Sequence, residues 1–275
     1  MRIFRPRGPL DVSSVGSPLA QAVAMHRAGR HADAEREARA VAASRSRRRN
    51  DTWAPVALHV AAIAAGAQGR HAEAVALHDE ALPHFARAFG DGHPQTLKAR
   101  SDRAQVLTSL GRYAECETEC AAVASAAARR PEPEAAHVVL AARNGQVFAL
   151  TALGRHPEAE ALAREVLAAA RGMPERFSLV LRLNLARSLN GQARHEEALA
   201  EAEHALRLHR GLPAAEQRPE AGAVDLATAT ALLGVGRRDE ARVRAVAAHD
   251  ACLTVLGPDH RRTEEARELV DRIGA

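Results

Sequence analysis

Gly29-Arg30-His31-Ala32-Asp33-Ala34-Glu35 recurs through the chain as Gly69-Arg70-His71-Ala72-Glu73-Ala74, Gly111-Arg112-Tyr113-Ala114-Glu115-Cys116 and Gly154-Arg155-His156-Pro157-Glu158-Ala159. Two weaker copies follow, Ala193-Arg194-His195-Glu196-Glu197-Ala198 and Gly236-Arg237-Arg238-Asp239-Glu240-Ala241. The starts are separated by 40, 42, 43, 39 and 43 residues. A period in this range marks a stacked repeat architecture, in which each unit buries its apolar face only against its neighbours.

Within one period the second unit reads as helix, tight turn, helix, loop. Thr52 is a predicted N-cap for a helix opening at Trp53-Ala54-Pro55, where proline is tolerated in the first turn. That helix runs towards Gly69, whose missing Cβ suits the left-handed turn at a helix C-terminus. Helical spacing resumes with Ala74, Leu77, His78, Ala81, Leu82 and Phe85 on one face. Gly90-Asp91-Gly92-His93-Pro94 then ends the unit.

The other units keep the same small positions. Five residues after the turn stand Ala34, Ala74, Cys116, Ala159, Ala198 and Ala241. Four further on come Ala38, His78, Cys120, Ala163, Ala202 and Ala245, and three beyond those Val41, Ala81, Val123, Val166, Ala205 and Ala248. Seven before the turn lie Ala22, Ala62, Ala104, Val147, Ala186 and Ala229. Small side chains at these spacings let helix backbones approach along a shared seam.

Composition agrees with an all-α chain. Hydrophobic residues are 47% and aromatics only 3% of 275 residues, and the abundant alanine is the best helix former. Net charge is +4 with a pI near 9.6. Lys98 is the only lysine among 38 basic residues, a bias read first as the codon pressure of a GC-rich genome. Cys116, Cys120 and Cys252 are too few, and odd in number, for a disulfide framework. No signal-peptide apolar region opens the chain, and no run approaches the roughly 18 apolar residues of a membrane span. A cytoplasmic protein is expected.

These residues resemble the tetratricopeptide repeat, with its small residue in helix A, its Gly-x-Tyr turn and its alanine seam in helix B. The period near 42, against about 34 in the standard form, is similar to the longer variant of kinesin light chains and many actinobacterial proteins. Phe89 to Leu97 and Leu256 to His260 are similar to that variant's inter-repeat linker. Two departures stand out. The turn tyrosine occurs only as Tyr113, with His31, His71, His156 and His195 elsewhere, and the fifth unit lacks the turn glycine, which predicts a less sharply bent helix pair. The resemblance implies a right-handed α-solenoid of about six helix-turn-helix repeats over residues 17–257. An N-terminal tail (1–16) precedes them and a capping helix within 258–275 follows, its charges on Glu264, Glu265, Arg267, Glu268 and Arg272. Residues 45–51, 129–133 and 213–219 are expected as inter-repeat loops.

No chemistry-bearing motif is present: no phosphate loop, dinucleotide fingerprint, nucleophile elbow or His-Glu-x-x-His. Histidines one repeat apart are separated by about a helix diameter, 10 Å, which cannot close on one ion at 2.0–2.3 Å. They are expected to stand in for tyrosine in packing and hydrogen bonding. Cys116 and Cys120 share a helix face flanked by Glu115, Glu117 and Glu119, but sit at seam positions and read as buried hydrophobes. The arginines at 45, 47, 48 and 49 form a basic loop without aromatic stacking partners, which disfavours nucleic acid. No cofactor, metal or catalytic residue is expected.

The resemblance implies a concave groove lined by the A helices that receives a protein or peptide ligand. Carried over position by position, the groove residues are His59, Ile63, Lys98, Ser101, Gln105, Asn144, Phe148, Leu183, Arg187, Asn190, Leu226 and Thr230. Phe148 would anchor an apolar side chain, the amides would bond a peptide backbone, and Arg187 and Lys98 would meet carboxylates. The lysine and asparagine clamp of the chaperone-tail-binding relatives is not reproduced. The expected task is a non-enzymatic binding scaffold or adaptor, compatible with homo-oligomerisation. Its rivals are a module sensing a signal peptide or metabolite and an accessory or enzymatic factor in a biosynthetic pathway.

Overall fold

The structure is a computed structural model that describes residues 16–45, 51–170 and 172–274. The predicted tail, apart from Gly16, and most of the loop after Arg45 lie outside the described residues. The chain divides into two units, one up to Gly145 and one from Gln146. Among the described residues every regular element is a helix, and none is long and apolar enough to cross a membrane.

The first unit contains α1 (Ala20–Arg27), α2 (His31–Arg45), α3 (Trp53–Ala67), α4 (His71–Ala88), α5 (Pro94–Thr108), α6 (Tyr113–Ala128) and the start of α7 (Pro133–Ala152). The second holds the end of α7, then α8 (His156–Ala169), α9 (Glu175–Gly191), α10 (His195–Gly211), the single turn α11 (Ala214–Gln217), α12 (Ala223–Gly234), α13 (Arg238–Leu256) and α14 (Arg261–Gly274). Each helix from α2 to α5 packs on its successor, and likewise α8 on α9, α9 on α10, α10 on α12, α12 on α13 and α13 on α14.

The turns are built alike. The arginine after each turn residue donates its N–H to the carbonyl five residues back, as in Arg70 to Ala65 (3.1 Å), Arg155 to Leu150 (2.9 Å) and Arg194 to Leu189 (3.0 Å). This six-to-one bond satisfies a carbonyl left open at the end of helix A. It needs a left-handed residue before the arginine, met by Gly154 (φ 74°) and, in the fifth pair, by Ala193 (φ 58°). The missing glycine therefore does not straighten the fifth turn, contrary to expectation. The alanine adopts the same conformation, at a cost of roughly 1–2 kcal/mol.

The seam is buried. All the small residues five, nine and seven-before the turns are fully enclosed, and of the fourth set only Val41 is partly exposed. Two of the four turn histidines, His156 and His195, pack closely on the following repeat, although His156 Nδ1 is buried without a hydrogen-bond partner. The rings of His156 and His195 lie where Cβ atoms on Gly191 and Gly234 would stand, at 2.2 Å, so a bulky turn residue in one repeat sits against a residue without a side chain in the next.

Two carboxylates, Glu35 buried and Glu160 partly buried, tie neighbouring repeats together. Glu35 of α2 accepts from Gln68 (2.8 Å), from Arg39 (3.0 Å) and from Arg70. Glu160 of α8 accepts from Gln192 (2.8 Å), Arg164 (3.0 Å) and Arg194 (2.5 Å). Burial pushes both carboxyls towards the neutral form, but the surrounding donors outweigh it and hold each below the usual carboxylate range.

Some local expectations change. Thr52 makes no capping bond; Asp51 Oδ1 accepts from the N–H groups of Trp53 (2.8 Å) and Ala54 (3.1 Å) instead. The stretch expected as a loop over 213–219 contains α11 and a 3-10 turn (Arg218–Glu220), whose Glu220 is buried and accepts from Arg176 at 2.7 Å. The two linkers share one cap. His93 Nδ1 accepts from Gln95 N–H (3.2 Å) and Thr96 donates to Gly90 O (2.8 Å). His260 accepts from Arg262 N–H (3.1 Å) and Thr263 donates to Gly257 O (2.7 Å) in the same register.

Candidate functional site

The second unit contains a cavity of about 600 Å³ formed by the end of α7, the inner faces of α9 and α12, and α14. Helical spacing explains the lining. Asn184, Arg187 and Gly191 fall at i, i+3 and i+7 on α9, and Leu226 and Thr230 at i and i+4 on α12. On α14, Arg261, Glu265, Glu268 and Arg272 form a single stripe into the cavity, Ala266 and Ile273 bury its other side with α12 and α13 residues, and Leu269 belongs to both that core and the cavity wall. Phe148 and Thr151 come from α7.

The polar groups differ in how committed they are. Thr151 and Thr230 hydroxyls donate back to Val147 O (2.8 Å) and Leu226 O (2.9 Å) of their own helices. Asn190 is held at both ends, its amide nitrogen 3.5 Å from Ala227 O and its oxygen 3.1 Å from His195 Nδ1. Asn184 is buried at 3% exposure. Arg261 places its guanidinium 5.5 Å from the Phe148 ring centroid, a cation–π contact. It also reaches Glu265 at 2.7 Å.

Arg187 is paired less closely than Arg261. Its nearest carboxylate, again Glu265, is 3.6 Å away. Burial lowers its pKa, with Glu265 opposing the shift, yet an arginine starts so high that it stays a cation.

Of the residues expected in the groove, Phe148, Arg187, Asn190, Leu226 and Thr230 line this cavity. Leu183 instead belongs to the core with Leu179, Ala186 and Ala202. It stands one residue, about 100° of helix, from Asn184, which occupies the cavity wall in its place. The α14 stripe was also missed, although its four charges at helical spacing were the available signal.

The remaining candidates lie in the first unit. His59 is buried, with Nε2 3.1 Å from Asp102 Oδ2, and Lys98 pairs with the same carboxylate. Burial raises the Asp102 pKa, but Lys98 and His59 more than offset this and keep it ionised. The His59 ring also meets His78 (5.1 Å between centroids) and Phe85 (5.9 Å). Ser101 is buried and accepts from Gln105 at 3.4 Å. Ile63 and Asn144 are half-buried. His59, from inside, and the exposed Lys98 thus meet at one carboxylate, that of Asp102.

Cys116 and Cys120 are free, buried thiols 3.9 Å apart. Their mutual hydrogen bond and then burial push the Cys120 pKa far up, so it stays protonated. Among the described residues no cluster of three His, Cys, Asp or Glu side chains could hold a metal ion. Arg45 pairs with Asp51 at 3.2 Å, and the arginines at 47–49 lie outside the described residues.

Tetratricopeptide repeat family models match residues 53–118 and 139–171. With the repeated helix pairs, turns and seam described above, the chain is a tetratricopeptide repeat protein. Its fold is similar to the nearly identical repeats of a putative kinesin light chain from Podospora anserina (TM-score 0.55, 22% identity, 73% of this chain and 97% of that one). It is also similar to Bacillus thuringiensis PlcR, solved with the peptide PapR7 and DNA (TM-score 0.63, 16% identity, 86% and 84% covered). At these identities the likeness establishes the fold alone. No curated protein matches the sequence.

Proposed function

We propose that the protein is a non-catalytic binding module whose ligand is a short peptide segment docked in the cavity of the second unit. One observation carries this reading: Phe148, Arg187 and the Asn184 and Asn190 amides converge on a single cavity between three A helices and α14. An apolar anchor surrounded by a few fixed polar groups is the usual make-up of a recognition pocket. The cavity lining includes no histidine, cysteine or serine among the described residues, which speaks for binding over nucleophilic chemistry. The same fold in PlcR is seen with a peptide, which supports such a use.

A second reading has one observation in its favour. A volume of about 600 Å³ also lies within the range of small-molecule pockets, so a metabolite sensor shares this site. Selection of displayed random peptides on the wild type, with counter-selection on Phe148→Ala/Asn190→Ala, separates the readings. Peptides retained by the wild type and released by a variant of equal melting temperature are expected. Peptides held equally by both refute the site, and no enrichment on either refutes the peptide reading.

A further inference from the structure

The turn of the first repeat brings two imidazoles together. His26, in the last turn of α1, and His31, at the start of α2, have their Nδ1 atoms 3.2 Å apart. The turn register imposes this meeting. Arg30 N–H bonds to Met25 O (2.9 Å), the six-to-one contact common to the turns, and Arg194 to Leu189 O (3.0 Å) is its counterpart in the fifth repeat. There the same two positions, three before and two after the turn residue, hold Asn190 and His195, with Oδ1 and Nδ1 3.1 Å apart. In the remaining repeats the position before the turn is Gly66, Thr108, Thr151 or Leu233, so the first repeat alone pairs two imidazoles.

The distances suit one shared ion. Imidazole nitrogens bind zinc at about 2.0–2.1 Å, so two of them 3.2 Å apart subtend about 100–105° at the ion. That is near the tetrahedral angle of zinc and wider than the right angle of a square-planar copper(II) or nickel(II) site. The ring centroids are 4.8 Å apart, closer than a head-on approach of the two nitrogens gives, so the rings meet obliquely. An oblique approach weakens a direct hydrogen bond, whereas a chelated ion requires it. Both rings are half-buried, which leaves them within reach of solvent. Burial, and then His31, lowers the His26 pKa, so that ring is neutral at neutral pH and keeps a lone pair for a metal. Binding through both Nδ1 atoms needs only that each ring carry its proton on Nε2.

We infer that His26 and His31 form a zinc-binding chelate across the first turn, with water filling the remaining positions. Histidines one repeat apart cannot share an ion; these two can because they straddle a single turn. The site uses two protein ligands, not a cluster of three. It belongs to the first unit and does not depend on the peptide reading.

The test titrates zinc chloride into the full chain, wild type and His26→Asn. Calorimetry gives affinity and the histidine ring nitrogen resonances give location. His26→Asn rebuilds the Asn–His contact of the fifth repeat, so it keeps the turn bond while removing one ligand, and an unchanged melting temperature checks this. The wild type is expected to bind zinc with the His26 and His31 resonances moving together. His26→Asn should weaken that site by about tenfold or more, because two linked ligands lose their effective-concentration advantage. Equal zinc affinity in wild type and variant, resonance shifts confined to other histidines, or no binding at all each overturns the chelate. Should His26→Asn unfold, the wild-type His26 and His31 resonances decide alone.

Discussion

Ala193→Gly should stabilise the protein. Ala193 holds a left-handed φ of 58° where the five other turns have glycine, and its exposed methyl buries nothing. An alanine there costs roughly 1–2 kcal/mol. Glycine removes that strain but gives the unfolded chain more freedom, which returns about 0.4–1 kcal/mol. The net gain is about 0.5–1 kcal/mol, or a rise of about 1–4 °C in melting temperature for a domain of this size class. Gly154→Ala is the mirror experiment: φ is 74°, and an added Cβ would meet nothing within 4 Å. It isolates the conformational cost and should lower stability by a similar amount. Both are read by thermal and urea unfolding followed by circular dichroism. A193G at or below wild-type stability, with G154A unchanged, would refute the view that the turn geometry imposes strain.

Other substitutions probe packing and charge. Gly222→Ala should destabilise by about 2 kcal/mol or more, visible as a larger melting-temperature loss than G154A. Its Cβ would stand 2.5 Å from the Ala248 carbonyl and 2.4 Å from Cys252 Sγ, and φ is 68°; Cys252→Ala should not rescue it, because the backbone clash remains. His78 is fully buried with neither ring nitrogen hydrogen-bonded, and burial lowers its pKa to about 3. The neutral ring therefore contributes stability that is complete above pH 6.5 and is lost as pH falls towards 3, by up to about 1.4 kcal/mol per unit. The wild-type minus His78→Leu difference in unfolding free energy should shrink or turn negative from pH 7 to pH 5; a pH-independent difference contradicts the assignment. Glu160→Ala and Gln192→Ala should be non-additive by about 0.5 kcal/mol or more in a double-mutant cycle of urea unfolding, since the two share one hydrogen bond across the repeat boundary.

What could be read from the sequence was what depends on local periodicity. The turn after each helix A and the small residues at fixed distances from it are set by backbone geometry and steric fit, and the buried seam from Ala22 to Ala248 follows them. The site depended on helix phase and on neighbours distant in sequence. Leu183 and Asn184 differ by a single step around α9, and only the packing of α9 against α10 and α12 decides which one meets the core. The charges of α14 read as the solvated back of a cap because nothing local reveals that Arg261 reaches Phe148, 113 positions earlier. The clamps on Glu35 and Glu160 were visible only as polar residues. Their meaning depends on Gln68 and Gln192 arriving from the following repeat.

Hydrogen–deuterium exchange with and without a display-selected peptide tests the central claim most directly. Bound peptide is expected to protect amides near 146–152, 184–191, 226–230 and 261–272, the segments that meet at the cavity. Protection confined to the first unit, around His59, Lys98 and Gln105, would contradict it.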